Sequence, residues 1–177
     1  MWPWPSVAFL ALLLPAVGLA RADTPPVRSV SQVDLKRYTG TWYEIARFPM
    51  FFQRRCLGDT SARYAPLADG CLSVHNRCRT EDGFDEATGK ACTVPGTGNA
   101  QLKVSFFWPF RSDYWIIGLD PEYRWAVVGN PNRQYLWILS RTPRLSQESL
   151  DQARRIAAEQ GYDLDLLKYT DHRSPVE

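Results

Sequence analysis

The sequence predicts an all-β protein, an eight-stranded antiparallel up-and-down β-barrel with one C-terminal α-helix packed on its wall. Three observations carry this. Short apolar and aromatic runs recur at regular spacing between Gly40 and Ser140, separated by Gly, Pro, Asn and Asp clusters, the pattern of consecutive hairpins. Aromatic residues make up 13% of the 177-residue chain, which suits strands and the lining of an apolar pocket. Ser146 to Gln160 is the one segment with a convincing helical pattern. A two-sheet sandwich is the alternative architecture for the same strands.

Taken in order, residues 23–33 read as an extended leader that includes Thr24-Pro25-Pro26. Gly40 to Phe48 alternates as the first strand, and Phe48-Pro49-Met50-Phe51-Phe52-Gln53 follows as an apolar loop closed by Arg54-Arg55. The second strand is Thr60 to Pro66, with a hairpin signal at Asp69-Gly70. Leu72 to Asn76 is the third, Glu81-Asp82-Gly83 a turn, and Ala87 to Val94 the fourth. Leu102 to Phe107, Tyr114 to Leu119, Trp125 to Gly129 and Tyr135 to Ser140 complete the eight. In the helix, Ser146 is the N-cap, Leu150, Ala153 and Ala157 share one face, and Gly161 stands where a C-cap glycine would. That small face suits flat packing on a barrel wall. The domain proper spans 34–170, Tyr162 to Tyr169 can add a short last strand, and 171–177 is a tail.

The charge, 21 Lys+Arg against 19 Asp+Glu, is nearly balanced with no basic run longer than two residues, so nucleic acid is not an expected partner. Val7 to Leu19 is an apolar run followed by the small-x-small pattern Ala20-Arg21-Ala22. Residues 1–22 therefore read as a secretory signal peptide, with an uncleaved anchor as the competing reading, since Met1 to Pro5 carry no Lys or Arg. The first cysteine is Cys56, so no lipidation cysteine follows the cleavage point. The expected product is soluble, periplasmic or secreted, with no transmembrane span after cleavage. Export places Cys56, Cys71, Cys78 and Cys92 in an oxidising compartment, where disulfides are expected rather than a metal site or a redox pair.

Four segments then acquire a specific meaning. Gly40-Thr41-Trp42-Tyr43-Glu44-Ile45-Ala46-Arg47 resembles the G-x-W signature that opens the first strand of lipocalins. Tyr135 to Pro143 resembles their last barrel strand with its terminal arginine, and Ala100 to Phe107 and Tyr114 to Asp120 match between them. In this order, with a helix after the last strand, they are most similar to the bacterial lipocalins of the Blc type, relatives of apolipoprotein D. The resemblance implies a carrier of fatty acid or lysophospholipid with no cofactor, a homodimer through the open end, and a pocket role for Trp137. A lipocalin-fold enzyme acting on a bound isoprenoid or haem product is the alternative, and a packed barrel acting through its surface is another.

Alternation along the strands assigns the lumen. Trp42 plugs the closed end and Arg141 can lie on its indole, a structural pair that starts at Gly40. In the same phase Glu44, Ala46 and Phe48 point inward. Tyr64 follows on the second strand, Val74 and Asn76 on the third, Val104 and Phe106 on the fifth, and Tyr135 and Trp137 on the eighth. Phe51 and Phe52 are either a satellite core under their loop or the lip of the pocket. These are the expected ligand-binding residues. Hairpin register also orders the cysteines: turns at Asp69-Gly70 and at Glu81-Asp82 bring Cys56 near Cys78 and set Cys71 opposite Cys92. No catalytic residue is expected. There is no G-x-S-x-G elbow, Gly83 to Lys90 fails as a phosphate loop, and neither His75 nor His172 has a visible nucleophile partner.

Overall fold

Eight strands pair antiparallel in chain order: β1 (Gly40–Arg47), β2 (Gly58–Pro66), β3 (Leu72–Thr80), β4 (Gly83–Thr93), β5 (Gln101–Ser105), β6 (Ser112–Leu119), β7 (Trp125–Gly129) and β8 (Leu136–Ser140). β1 pairs with both β2 and β8, which closes the barrel and excludes a sandwich. The computed structural model describes residues 24–173, so the predicted signal segment 1–22 and the final residues 174–177 lie outside the described residues. Among the described residues no helix is long and apolar enough to cross a membrane.

Two apolar clusters share the wall. One fills the closed half of the lumen and includes Trp42, Tyr64, Val74, Leu102, Val128 and Leu139. The other lies outside, between the wall and α2 (Gln147–Glu159), and includes Ile45, Ile117, Trp125, Leu136 and Ile138. Ser146 caps α2 by accepting from Ser149 N, and the fully buried Ala153 and Ala157 let the helix lie flat. Gly129 of β7 allows the approach of Tyr162, because a Cβ there would stand 2.1 Å from the Tyr162 hydroxyl. That hydroxyl donates to Asn130 O at 2.9 Å and accepts from Asn130 N at 3.0 Å.

Three local features depart from the sequence reading. The leader ends in a short helix, α1 (Leu35–Tyr38), capped by Asp34, which delivers the Tyr38 ring into the closed end of the barrel. The β3–β4 hairpin is longer than its apolar alternation indicates. Its mouth-end arms are mostly polar and are held by cross-strand contacts, with Arg77 3.4 Å from Glu86 and stacked 3.7 Å over Phe84. β4 meets β5 only from Lys90 onward, so its Gly83–Gly89 stretch has no β5 partner.

The third is at the C-terminus. β9 (Lys168–Tyr169) pairs with Ala46 and Arg47 of β1, where β1 has parted from β2. Thr170 N–H donates to Ile45 O at 3.0 Å, and Asp59 N–H donates to Asp171 O at 2.8 Å. Residues 171–173, read from sequence as tail, thus fill the seam between the first two strands. Gly58 makes room for them, since a Cβ there would lie 2.3 Å from Asp171 O.

Both disulfides have the connectivity that the register indicates. Cys56–Cys78 ties the mouth loop to β3, with Cα atoms 5.5 Å apart. Cys71–Cys92 joins β3 to β4 at the closed end, with Cα atoms 4.5 Å apart, beside the Leu72–Ala91 pair.

Candidate functional site

The floor is closed by a stack of three groups. Trp42 is fully buried, its indole N–H donates to Tyr38 O at 2.8 Å, and Arg141 Cζ lies 3.7 Å above its ring. The guanidinium also donates to Thr41 O at 2.9 Å and Arg37 O at 2.6 Å, so it laces β1, α1 and the end of β8 together. Above Trp42, three tyrosine hydroxyls meet. Tyr64 donates to Tyr114 at 2.9 Å, and Tyr114 and Tyr38 share a bond of 2.8 Å. Burial pushes the Tyr64 hydroxyl up to about 12 and raises those of Tyr38 and Tyr114 as well, so all three stay neutral donors.

From this triad a row of rings climbs to the mouth. Tyr114 stacks on Trp137 with centroids 6.5 Å apart, Trp137 meets Tyr135 at 5.9 Å, Tyr135 meets Phe52 at 5.7 Å, and Phe52 meets Phe51 at 5.3 Å. Alternation supplies it: Tyr135 and Trp137 are two apart on one strand end and face the same side. In the mouth half, Ala62, Phe106, Tyr114 and Trp137 pack on the lumen cluster yet keep accessible surface, whereas Trp42 and Leu102 below them have almost none. Val74 and Val104 line the closed half. Asn76 sits opposite Ala62 in the lumen phase, and its Oδ1 is buried without a partner among the described residues.

A polar cluster stands beside this row. Glu44 is buried with Gln53 Nε2 at 2.8 Å, Thr170 Oγ1 at 2.6 Å and Arg47 Nε at 3.2 Å from its carboxylate. Burial raises its pKa, and the hydrogen bonds from Thr170 and Gln53 oppose the rise. Trp137 N–H donates to Gln53 Oε1 at 3.2 Å, which couples the cluster to the ring row. His172 Nε2 donates to Glu44 O at 2.7 Å from the strapped C-terminus.

Ala46 and Phe48 are not in the lumen, contrary to the alternation argument. A β-bulge at Ile45 shifts the β1–β8 register, so Arg47 falls opposite Trp137 and faces inward. Ala46 and Phe48 turn outward into the helix-side cluster, where Phe48 meets the Tyr162 ring at 6.0 Å. The mouth loop divides between its two readings: Met50 is buried in the helix-side cluster, while Phe51 and Phe52 are 76% and 53% exposed at the lip. Sequence reasoning missed Arg47, Gln53, Thr170, Tyr38 and Tyr114. Of these only Tyr114 carried a usable signal, because it lies two residues from Ile116 on an alternating strand.

A Lipocalin-like domain model matches residues 33–172, nearly the whole described chain. The chain belongs to the lipocalin family. It is 44% identical over 165 residues to the outer membrane lipoprotein Blc of Escherichia coli (strain K12), covering 86% of this chain and 93% of that protein. It is 32% identical over 165 residues to apolipoprotein D of Macaca fascicularis, covering 88% and 85%. Among solved structures, insecticyanin from the tobacco hornworm Manduca sexta superimposes with a TM-score of 0.70 at 20% identity, covering 84% and 86%, a likeness of fold. As a lipocalin with Blc relatives, the chain has the build of a binder of hydrophobic ligands. The relatives named as outer membrane lipoproteins, together with the two disulfides, point to an extracytoplasmic protein. All four cysteines of this sequence are engaged in the disulfides.

Proposed function

We propose that this lipocalin binds a long-chain fatty acid or a lysophospholipid in the mouth half of its barrel, for lipid handling in the cell envelope. One observation carries the reading: the row of rings from Phe52 through Tyr135 and Trp137 to Tyr114, whose inner members Trp137 and Tyr114 pack on the lumen cluster and keep accessible surface. An acyl chain laid along it gains about 0.8 kcal/mol per buried CH₂. Asn76 and Phe106 complete the wall around it, and Tyr64, Val74 and Val104 of the closed half lie beneath the chain end. The head group stays near the mouth, because Glu44 already occupies the inner polar position and a second carboxylate beside it would be repelled. The mechanism is burial and release without bond chemistry, so the ligand leaves unchanged.

Mass spectrometry of an organic extract of the native protein, with uptake of a fluorescent fatty acid, tests this. Co-purified acyl lipid and saturable uptake are expected. A protein with neither, or one that converts its ligand on incubation, contradicts it, the second result favouring a lipocalin-fold enzyme.

A further inference from the structure

Asn76 is the polar exception in the middle of the inward face of β3. Leu72 and Val74 below it and Cys78 above it are buried and apolar. Its Oδ1 is buried with no hydrogen-bond partner among the described residues. The register explains why. The cross-strand neighbours of Asn76 are Ala62 on β2 and Ala87 on β4, and an alanine side chain offers nothing to an amide. Two such short side chains also leave room beside it. A buried amide oxygen without a donor costs stability, so the position calls for a group that the chain itself does not provide.

One layer deeper, the closed half has a complementary surplus. Tyr64 is the cross-strand partner of Val74, which lies two residues from Asn76 on the same face, about 7 Å along the strand. The Tyr64 hydroxyl donates to Tyr114, and a single bond joins Tyr114 to Tyr38. Three hydroxyl protons thus serve two bonds among the described residues, and one proton, on Tyr38 or Tyr114, is left to donate. The lumen holds an unpaired acceptor and an unused donor at neighbouring depths. A hydroxyl group answers to both kinds, since it donates once and also accepts. It suits either orientation of the Asn76 amide, whose oxygen and nitrogen exchange places by a half-turn. A bare methylene chain answers neither.

We propose that the lumen selects acyl lipids that carry a hydroxyl on the distal half of the chain, with Asn76 as the residue that reads it. This rests on the lipid-binding reading and narrows its ligand class. The head group lies at the mouth and the chain end above Val74, so a hydroxyl reaches Asn76 only from far along the chain. A hydroxyl next to the carboxylate stays at the mouth with it. The sign of the selection is informative, because a hydroxyl lowers the gain from burying a chain against an apolar wall. A lumen without a partner for that hydroxyl prefers the plain chain. A lumen with a partner in place prefers the hydroxylated one, since the plain chain leaves its buried amide unpaired.

The test is displacement of a fluorescent fatty acid by stearic, 3-hydroxystearic and 12-hydroxystearic acid. It is run on the wild type and on Asn76→Leu, which keeps much of the side-chain shape without its polar atoms. The wild type should bind 12-hydroxystearic acid at least about fivefold tighter than stearic acid, and 3-hydroxystearic acid no tighter than stearic acid. In Asn76→Leu the preference should reverse while stearic acid still binds. The ligand-free variant should also unfold at a higher denaturant concentration than the wild type, because the orphaned oxygen is gone. Equal wild-type affinity for stearic and 12-hydroxystearic acid overturns the proposal and leaves the lumen reading standing; it is the result expected if a water satisfies the amide. A preference that survives in Asn76→Leu, or that 3-hydroxystearic acid shares, overturns it too. The wild-type comparison decides the matter even where the variant fails to fold. If neither the fluorescent probe nor any of the three acids binds, the proposal and the lumen reading fall together.

Discussion

Trp42 and Trp137 sit on neighbouring strands in the same lumen phase, yet their surroundings differ. Trp42 has the Tyr38 ring against it, Arg141 across its face and the Tyr64 wall beside it, and it is fully buried. Trp137 has Tyr114 on its inner side, but toward the mouth it meets Tyr135 and the amide of Gln53, both only partly buried. The floor is therefore a core in which the barrel supplies every neighbour. The mouth half is a wall whose rings are only partly buried. Truncating a ring should remove stability at the floor and affinity at the mouth.

The largest expected effect is at the floor. Trp42→Ala should lower stability by about 3–5 kcal/mol, the range for buried Trp truncation, as read by denaturant titration, with ligand affinity of the folded fraction kept. The disulfides sharpen the contrast, because they close loops of nearly equal length, with separations of 22 and 21. Each pair replaced by serine should cost about 2–4 kcal/mol. Only loss of Cys56–Cys78, which ties the mouth loop, should also weaken ligand binding in a titration. A loss of affinity on opening Cys71–Cys92 as well would break the distinction between the two halves.

Trp137→Ala should weaken fatty-acid binding by about 1–3 kcal/mol, with a smaller loss of stability than Trp42→Ala. Equal stability losses with normal binding would make the mouth half a packed core. The smallest effect is a pH slope. Burial holds the Glu44 carboxyl above its usual 4.5, so the unfolded chain gives up this proton at lower pH than the folded protein does. Its contribution to stability therefore falls as pH rises above about 4.5, until the folded group has ionised too. Glu44→Gln should flatten that part of the profile in denaturant titrations from pH 4.5 to neutrality. An unchanged slope would mean that Thr170, Gln53 and Arg47 compensate the carboxylate fully.

The barrel was legible because its signals are local. Alternation with Gly, Pro and Asp turns marks each hairpin, and the same register pairs the cysteines once Asp69-Gly70 and Glu81-Asp82 are taken as turns. The Trp42–Arg141 stack was legible because a ring at the start of the first strand and an arginine at the end of the last must meet when the barrel closes. The inward face of β1 beyond Glu44 was not. A bulge at Ile45 needs no Gly or Pro, and a one-residue shift moves Ala46 and Phe48 outside and Arg47 inside. Nor was the polar cluster. Gln53 and Thr170 reach Glu44 from a loop and from the strapped C-terminus, across separations of 9 and 126 residues, and no periodicity reports contacts of that kind.

The central claim is that the mouth half of the barrel receives an acyl chain. A crystal of the protein with stearic acid brominated along its chain tests it directly, through the anomalous signal of bromine. The account predicts a bromine position inside the barrel, against Trp137 and Phe106 and above the Tyr38–Tyr64–Tyr114 triad. Bromine confined to the outer rim, or none inside the barrel at saturating lipid, would contradict it.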